Sequence, residues 1–213
     1  MQVNRVSRFV RKGLLAAMGL AVAGTALVPG PAVAQFMGPS YKFLEAIKKK
    51  DGEAVEKALG DGGPNLINTR DATTGNTALH LVTARRDLQW MNFLIYKGAA
   101  VNARNEQGVT PLSLAVGLNF VEGVDLLLNQ GARVNDPGAD GETPLIAAVH
   151  QRSVELVRTL IKAGADPRRA DNSGRTALDY ANLSGKDGAI ATELEAAAKV
   201  AAARKAQTYG PSF

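Results

Sequence analysis

The sequence predicts an all-α solenoid of stacked helix-turn-helix units. Three observations carry the prediction. The string Gly-x-Thr-Ala/Pro-Leu begins at Gly75, Gly108, Gly141 and Gly174, a constant period of 33 residues. A fixed period in this range marks a stacked-repeat architecture. A Gly-Ala pair recurs at the same interval, at Gly98-Ala99, Gly131-Ala132 and Gly164-Ala165. Between string and pair lie two short apolar stretches, and one such helical pair cannot bury its own apolar face without neighbours on either side.

The elements of one unit follow in order. Thr110-Pro111-Leu112 opens a helix, with Thr as N-cap and Pro at the first helical position, and Thr143-Pro144-Leu145 does the same. Leu112, Leu114, Ala115 and Val116 make a crowded apolar stretch whose small residues let neighbouring helices approach. A second helix carries Val124, Leu127 and Leu128 at i, i+3 and i+4, the amphipathic spacing. Gly131 stops it by supplying the left-handed position after the last turn. Val101-Asn102 and Val134-Asn135 lead into polar loops and the next Gly.

These residues resemble ankyrin repeats. Thr77-Ala78-Leu79-His80 matches the opening of that pattern. Val124-Asp125-Leu126-Leu127-Leu128 and Gly131-Ala132-Arg133-Val134-Asn135 match its close. The resemblance implies an ankyrin-repeat solenoid with short hairpin-like loops and about five repeats, counting degenerate caps. The expected divisions are a degenerate first repeat at 41–71, full repeats at 72–104, 105–137 and 138–170, and a last repeat with a long helix at 171–205. Residues 35–40 form a linker and 206–213 a disordered tail. The family usually has Gly where the first helix of a unit turns into the second. Here Arg86, Asn119 and Arg152 hold those positions, and only Gly185 conforms. Either these turns differ, or a side chain adopts a left-handed backbone at a cost of about 1–2 kcal/mol.

Residues 1–34 stand apart. Arg5, Arg8, Arg11 and Lys12 precede an apolar run from Gly13 to Val28, then Pro29-Gly30-Pro31 and Ala32-Val33-Ala34. This is the order of a cleavable Sec-type signal peptide, with the cut expected between Ala34 and Gln35. The run is shorter than the roughly 20 residues that span a bilayer comfortably, although its retention as a membrane anchor is the rival reading. Periplasmic export follows, with only transient membrane contact. Four of the 25 Lys+Arg residues and none of the 20 Asp+Glu residues lie in this segment, so the remainder carries a formal +1. The high isoelectric point therefore belongs to the export signal, and a nearly neutral chain has no net field to attract nucleic acid. With no cysteine, thiol nucleophiles, thiolate metal sites and disulfides are excluded.

The chemistry-bearing residues do not assemble into a catalytic motif. Ser113 and Ser153 have no His at a nucleophile spacing. His80 and His150 lie 70 residues apart, which disfavours zinc. Neither a cofactor nor a metal is expected, and an enzyme is the weaker reading. His80 is expected to tie neighbouring loops together, as it does in the family. Lys48-Lys49-Lys50 suits a helix C-terminus, and Trp90 suits core packing on the outer helix.

The resemblance places binding on the loop tips and on the groove face of the first helices. Carried over by position, this gives tips at Arg70, Thr73, Thr74, Asn76, Arg104, Glu106, Gln107, Val109, Asp140, Glu142, Asn172, Ser173 and Arg175. The groove takes Lys48, Lys49, Arg85, Leu118, His150, Gln151 and Ser184. Patterned charge of this kind fits a protein partner of a monomeric binding module. Charge reversal at Arg85, Arg104, Asp140 and Glu142 is expected to abolish capture of that partner without unfolding.

Overall fold

The computed structural model describes residues 38–183 and 188–208. The expected signal segment, its cut between Ala34 and Gln35, Ser184 and Gly185 lie outside the described residues. Ten α-helices and no strand occur among the described residues; Arg70 and Thr77 form an isolated bridge.

Helices α1 (Pro39–Lys49) and α2 (Gly52–Gly62) form the first unit, followed by a 3-10 turn at Pro64–Asn68. The next three units pair α3 (Ala78–Ala84) with α4 (Leu88–Tyr96), α5 (Pro111–Gly117) with α6 (Val121–Asn129), and α7 (Pro144–His150) with α8 (Val154–Lys162). The last pairs α9 (Ala177–Leu183) with α10 (Gly188–Thr208). Two bounds differ from the expected ones. The first helix starts at Pro39, inside the expected linker, because Pro is suited to the first helical turn. The last continues to Thr208, past the expected end at 205, and Gly210 is the first helix breaker beyond it.

The core is a ladder with the same period as the sequence. Leu79, Leu112 and Leu145 on the inner helices are at most 1% exposed, as are Met91, Val124, Val157 and Ile190 on the outer ones. Ile190 keeps α10 in register with the outer helices although that helix is far longer. Trp90 and Phe93 pack partly buried against this core, edge to face with ring centroids 5.5 Å apart.

The turns between paired helices settle the alternative left open by the sequence. Lys50, Arg86, Asn119 and Arg152 have φ between 51° and 58°, so all four adopt the left-handed backbone. The turn geometry of the family is kept, and side chains tolerate it. Arg86 donates there to the Leu118 carbonyl of the next unit, and Lys50 pairs with Asp87 at 2.8 Å.

Neighbouring units are clamped by repeated side-chain bonds. Asn68, Asn102 and Asn135 each reach forward about one unit. Their Oδ1 atoms accept from the backbone N–H groups of Ala100, Arg133 and Asp166 at 2.7, 2.9 and 2.8 Å. Their Nδ2 groups donate to the carbonyls of Gly98, Gly131 and Gly164. The Gly-Ala stop of one unit is therefore capped by an Asn of the unit before it, which satisfies backbone groups that a helix end leaves open.

His80 makes the equivalent tie between inner helices. It is 1% exposed. Its Nδ1 accepts from the Thr77 N–H at 3.3 Å, which leaves Nε2–H to donate to the Val109 carbonyl at 3.0 Å. Burial pushes its pKa below the ordinary 6.5, and the Arg70 charge adds to the effect.

Candidate functional site

The loop tips are built by one device used three times. Asp71 Oδ1 accepts from the N–H groups of Thr73 and Thr74, Asn105 from Gln107 and Val109, and Asp171 from Ser173 and Arg175. Short Asx side chains fold the chain back on itself in this way. The fourth tip keeps the backbone turn, with the Gly138 N–H donating to the Glu142 carbonyl and the Gly141 N–H to the Gly138 carbonyl, but lacks the Asx side chain. Midway between Asn105 and Asp171, 33 residues from each, stands Gly138, flanked by Pro137 and Ala139. Asp140 supplies the side-chain bond there instead, accepting from the Glu142 N–H at 3.0 Å.

This tip lines one of the open cavities of the solenoid. A groove of about 510 Å³ runs from Gln107 and Val109, over Ser113 and Gly117 of α5, to Pro144, Ala147, His150 and Gln151 of α7. Gly138, Ala139, Asp140 and Glu142 form its side. Small residues at 138 and 139 leave room that a longer side chain would occupy. A second recess of about 550 Å³ adjoins it through Asp140, Glu142 and His150. Asp171, Asn172, Ser173, Arg175 and Tyr180 complete that recess.

The shared wall is a polar chain. His150 Nδ1 lies 2.7 Å from Glu142 Oε1, and its ring meets Tyr180 edge to face at 4.6 Å. The Tyr180 hydroxyl donates to Asp171 Oδ2 at 2.6 Å. That bond, with another from the Ser173 hydroxyl, holds the Asp171 carboxyl well below the usual carboxylate range. The Arg175 guanidinium stands 5.8 Å from the Tyr180 ring centre. The result is a fixed pattern of acceptors and one imidazole over an apolar floor. It suits recognition by surface complementarity.

The site residues expected from sequence divide into two groups. Gln107, Val109, Asp140, Glu142, His150, Gln151, Asn172 and Arg175 come together in this groove; Glu106 is exposed on a tip beside it. The others serve the scaffold or lie away from it. Arg104 donates to the carbonyls of Gly108 and Pro137 at 2.9 and 2.6 Å, and Arg70 donates to those of Gly75 and Arg104. Arg85 donates to the Ile47 carbonyl at 2.6 Å. Asn76 accepts from Asn105 at 2.9 Å, and Leu118 offers its carbonyl to Arg86. Lys48 pairs with Glu45 at 3.0 Å, and Lys49 is exposed at the end of α1. The expectation that reversing Arg85 and Arg104 spares the fold is therefore corrected, because both guanidinium groups cross-link neighbouring units.

Tyr180 and Asp171 were missed by the sequence reading. The signal available was their position one turn and one tip away from residues already singled out, but only packing shows that Tyr180 reaches His150. No cluster of His, Asp and Glu able to hold a metal occurs among the described residues.

Comparison with known proteins agrees with the architecture. A family model described as ankyrin repeats (3 copies) matches residues 43–138. A second, ankyrin repeats (many copies), matches residues 126–181. The chain belongs to the ankyrin-repeat family, whose domains are in general non-catalytic interaction modules. An ankyrin repeat protein of Fowlpox virus (strain NVSL) is 41% identical over 64 residues, covering 30% of this chain and 18% of the relative. Diacylglycerol kinase iota of Rattus norvegicus is 31% identical over 88 residues, covering 41% of this chain and 8% of the relative. The human protein of that name is 33% identical over 76 residues, covering 35% and 7%. The chain thus spans less than a fifth of the length of these relatives.

Proposed function

We propose that the protein is an exported module that binds another protein through the groove between its third, fourth and fifth units. The observation that carries this reading is the groove itself. Its two adjoining recesses span three units, and most of their lining residues change from unit to unit. Its side is the one tip that keeps the common backbone turn without the Asx side chain. Export to the periplasm is supported by the order of charge, apolar run and small residues in 1–34. Support or restraint of a periplasmic enzyme is the role such a module would serve there. Its mechanism is complementarity of shape and charge, without bond-making chemistry.

The test is affinity capture from a periplasmic extract with the full chain, followed by mass spectrometry. The comparison variant combines Glu142→Gln, His150→Ala and Arg175→Ala. These side chains are half-buried or exposed, so the melting curve is expected to change little. Capture of the specific partner should fall at least about tenfold, which corresponds to about 1.4 kcal/mol. Undiminished capture would refute the groove as the binding surface. The mature N-terminus is checked in the same preparation: Gln35 supports export and release, whereas an intact Met1 end supports the anchored alternative, in which residues 13–28 tether the module. No helix among the described residues is long and apolar enough to cross a membrane.

A further inference from the structure

A second cleft, of about 380 Å³, lies on the opposite helical layer. It is lined by Gly52, Glu53 and Glu56 of α2 and by Gln89, Trp90 and Phe93 of α4. Its aromatic wall is a departure from the repeat. The residues 33 positions after Trp90 and Phe93 are Gly123 and Leu126, and the next are Leu156 and Thr159. The aromatic pair is thus particular to this unit, and each ring packs against the core while keeping a partly exposed edge on the cleft. The opposite wall supplies two carboxylates on exposed residues, and Gly52 leaves open space beside them. Aromatic faces carry negative potential, and a cation held between them and carboxylates is favoured twice over.

The chain already places one cation at this edge. Lys97, at i+7 from Trp90, holds its ammonium 5.4 Å from the Phe93 ring centre and 3.6 Å from Glu56 Oε1. Among the described residues, Glu53 has no ion pair like that of Glu56.

We propose that this cleft is a second docking site, distinct from the groove, that receives an arginine side chain of a protein partner. A planar guanidinium stacks on an aromatic face and presents paired N–H groups to a carboxylate, which an ammonium does not do. It would lie against Trp90 and donate to Glu53, with Lys97 as the internal competitor.

Trp90 is the only Trp of the chain, so its emission reports this cleft directly. The experiment titrates the full chain with the blocked peptide Ac-Ala-Arg-Ala-NH2, and with its citrulline counterpart, at fixed ionic strength. A saturable change with the arginine peptide alone is expected. Glu53→Gln should weaken it about twofold to fivefold, and Lys97→Gln should strengthen it by a similar factor. Circular dichroism of each variant establishes that the fold is kept. Equal responses to the two peptides, no saturable response, or an unchanged affinity in Lys97→Gln would overturn the proposal. None of these outcomes bears on the groove.

Discussion

Two glycines separate the cost of a backbone conformation from the cost of a close approach. Gly141 and Gly174 both have positive φ, +80° and +79°, and both open the same repeated string. A Cβ at position 174 would meet nothing within 4 Å, whereas one at position 141 would lie 2.4 Å from Asn172 Oδ1 and 2.7 Å from the Asn172 backbone N. Gly174→Ala therefore imposes only the left-handed penalty, about 1–2 kcal/mol. Gly141→Ala adds an overlap with backbone of the next unit, which a rotamer change cannot relieve. Overpacking of this kind costs about 1–3 kcal/mol more. It also pushes apart the tips joined by the bond from the Asn172 N–H to the Asp140 carbonyl, 3.3 Å long. For a chain of this size, each kcal/mol lowers the melting temperature by about 2–4 °C. Expected losses are about 2–8 °C for Gly174→Ala and about 4–20 °C for Gly141→Ala, read by circular dichroism in parallel melts. Urea titration supplies the free energies. Because Gly141 lies between Asp140 and Glu142, its variant should also weaken partner capture. Equal destabilisation by the two substitutions would refute the claim that the tips touch at Gly141.

Two further predictions concern the inner layer. His80 is held neutral below its ordinary pKa of 6.5, while the unfolded chain takes up the proton as the pH falls through that value. Its contribution is thus complete above about pH 6.5 and declines as the pH drops toward the lower folded value; urea midpoints between pH 8 and pH 5 should show the decline, and His80→Gln should remove that component. Arg85→Glu removes a charged hydrogen bond to the Ile47 carbonyl and sets a second carboxylate near Asp87, whose Oδ2 lies 3.8 Å from the guanidinium. A loss of about 1.5–3 kcal/mol in urea unfolding is expected, and wild-type stability would show that the contact does not hold the first two units together.

Much of the fold was legible because its determinants are local. The N-cap threonines, the prolines after them and the Gly-Ala stops act within a few residues, so a linear string displays them. The buried ladder was legible for a related reason: stacking identical units makes a packing position recur at the period of the sequence. The end of α10 was less legible, since an Ala-rich helix has no strong stop before Gly210. The candidate site was legible only in part. Position within the unit located Asp140, Glu142, His150 and Arg175, but position treats Arg70, Arg85 and Arg104 as the same kind of exposed charge. Their guanidinium groups instead turn onto carbonyls of neighbouring units, an interaction between residues some 30 or more apart in the chain.

The sequence by itself determined the repeat, its helical pairs, its degenerate ends and the segment that sets its charge. Each of these depends on spacing, composition or short-range capping, which survive in one dimension. Only the tertiary structure decided which variable residues share a surface. The break in the tip pattern at Gly138 becomes a groove when α5 and α7 stand beside it. Tyr180 becomes part of the wall when it meets His150, and Trp90 lines a cleft because Glu53 and Glu56 face it from the preceding unit. A side chain that reaches one unit over obeys distance in space, and that distance is set by packing.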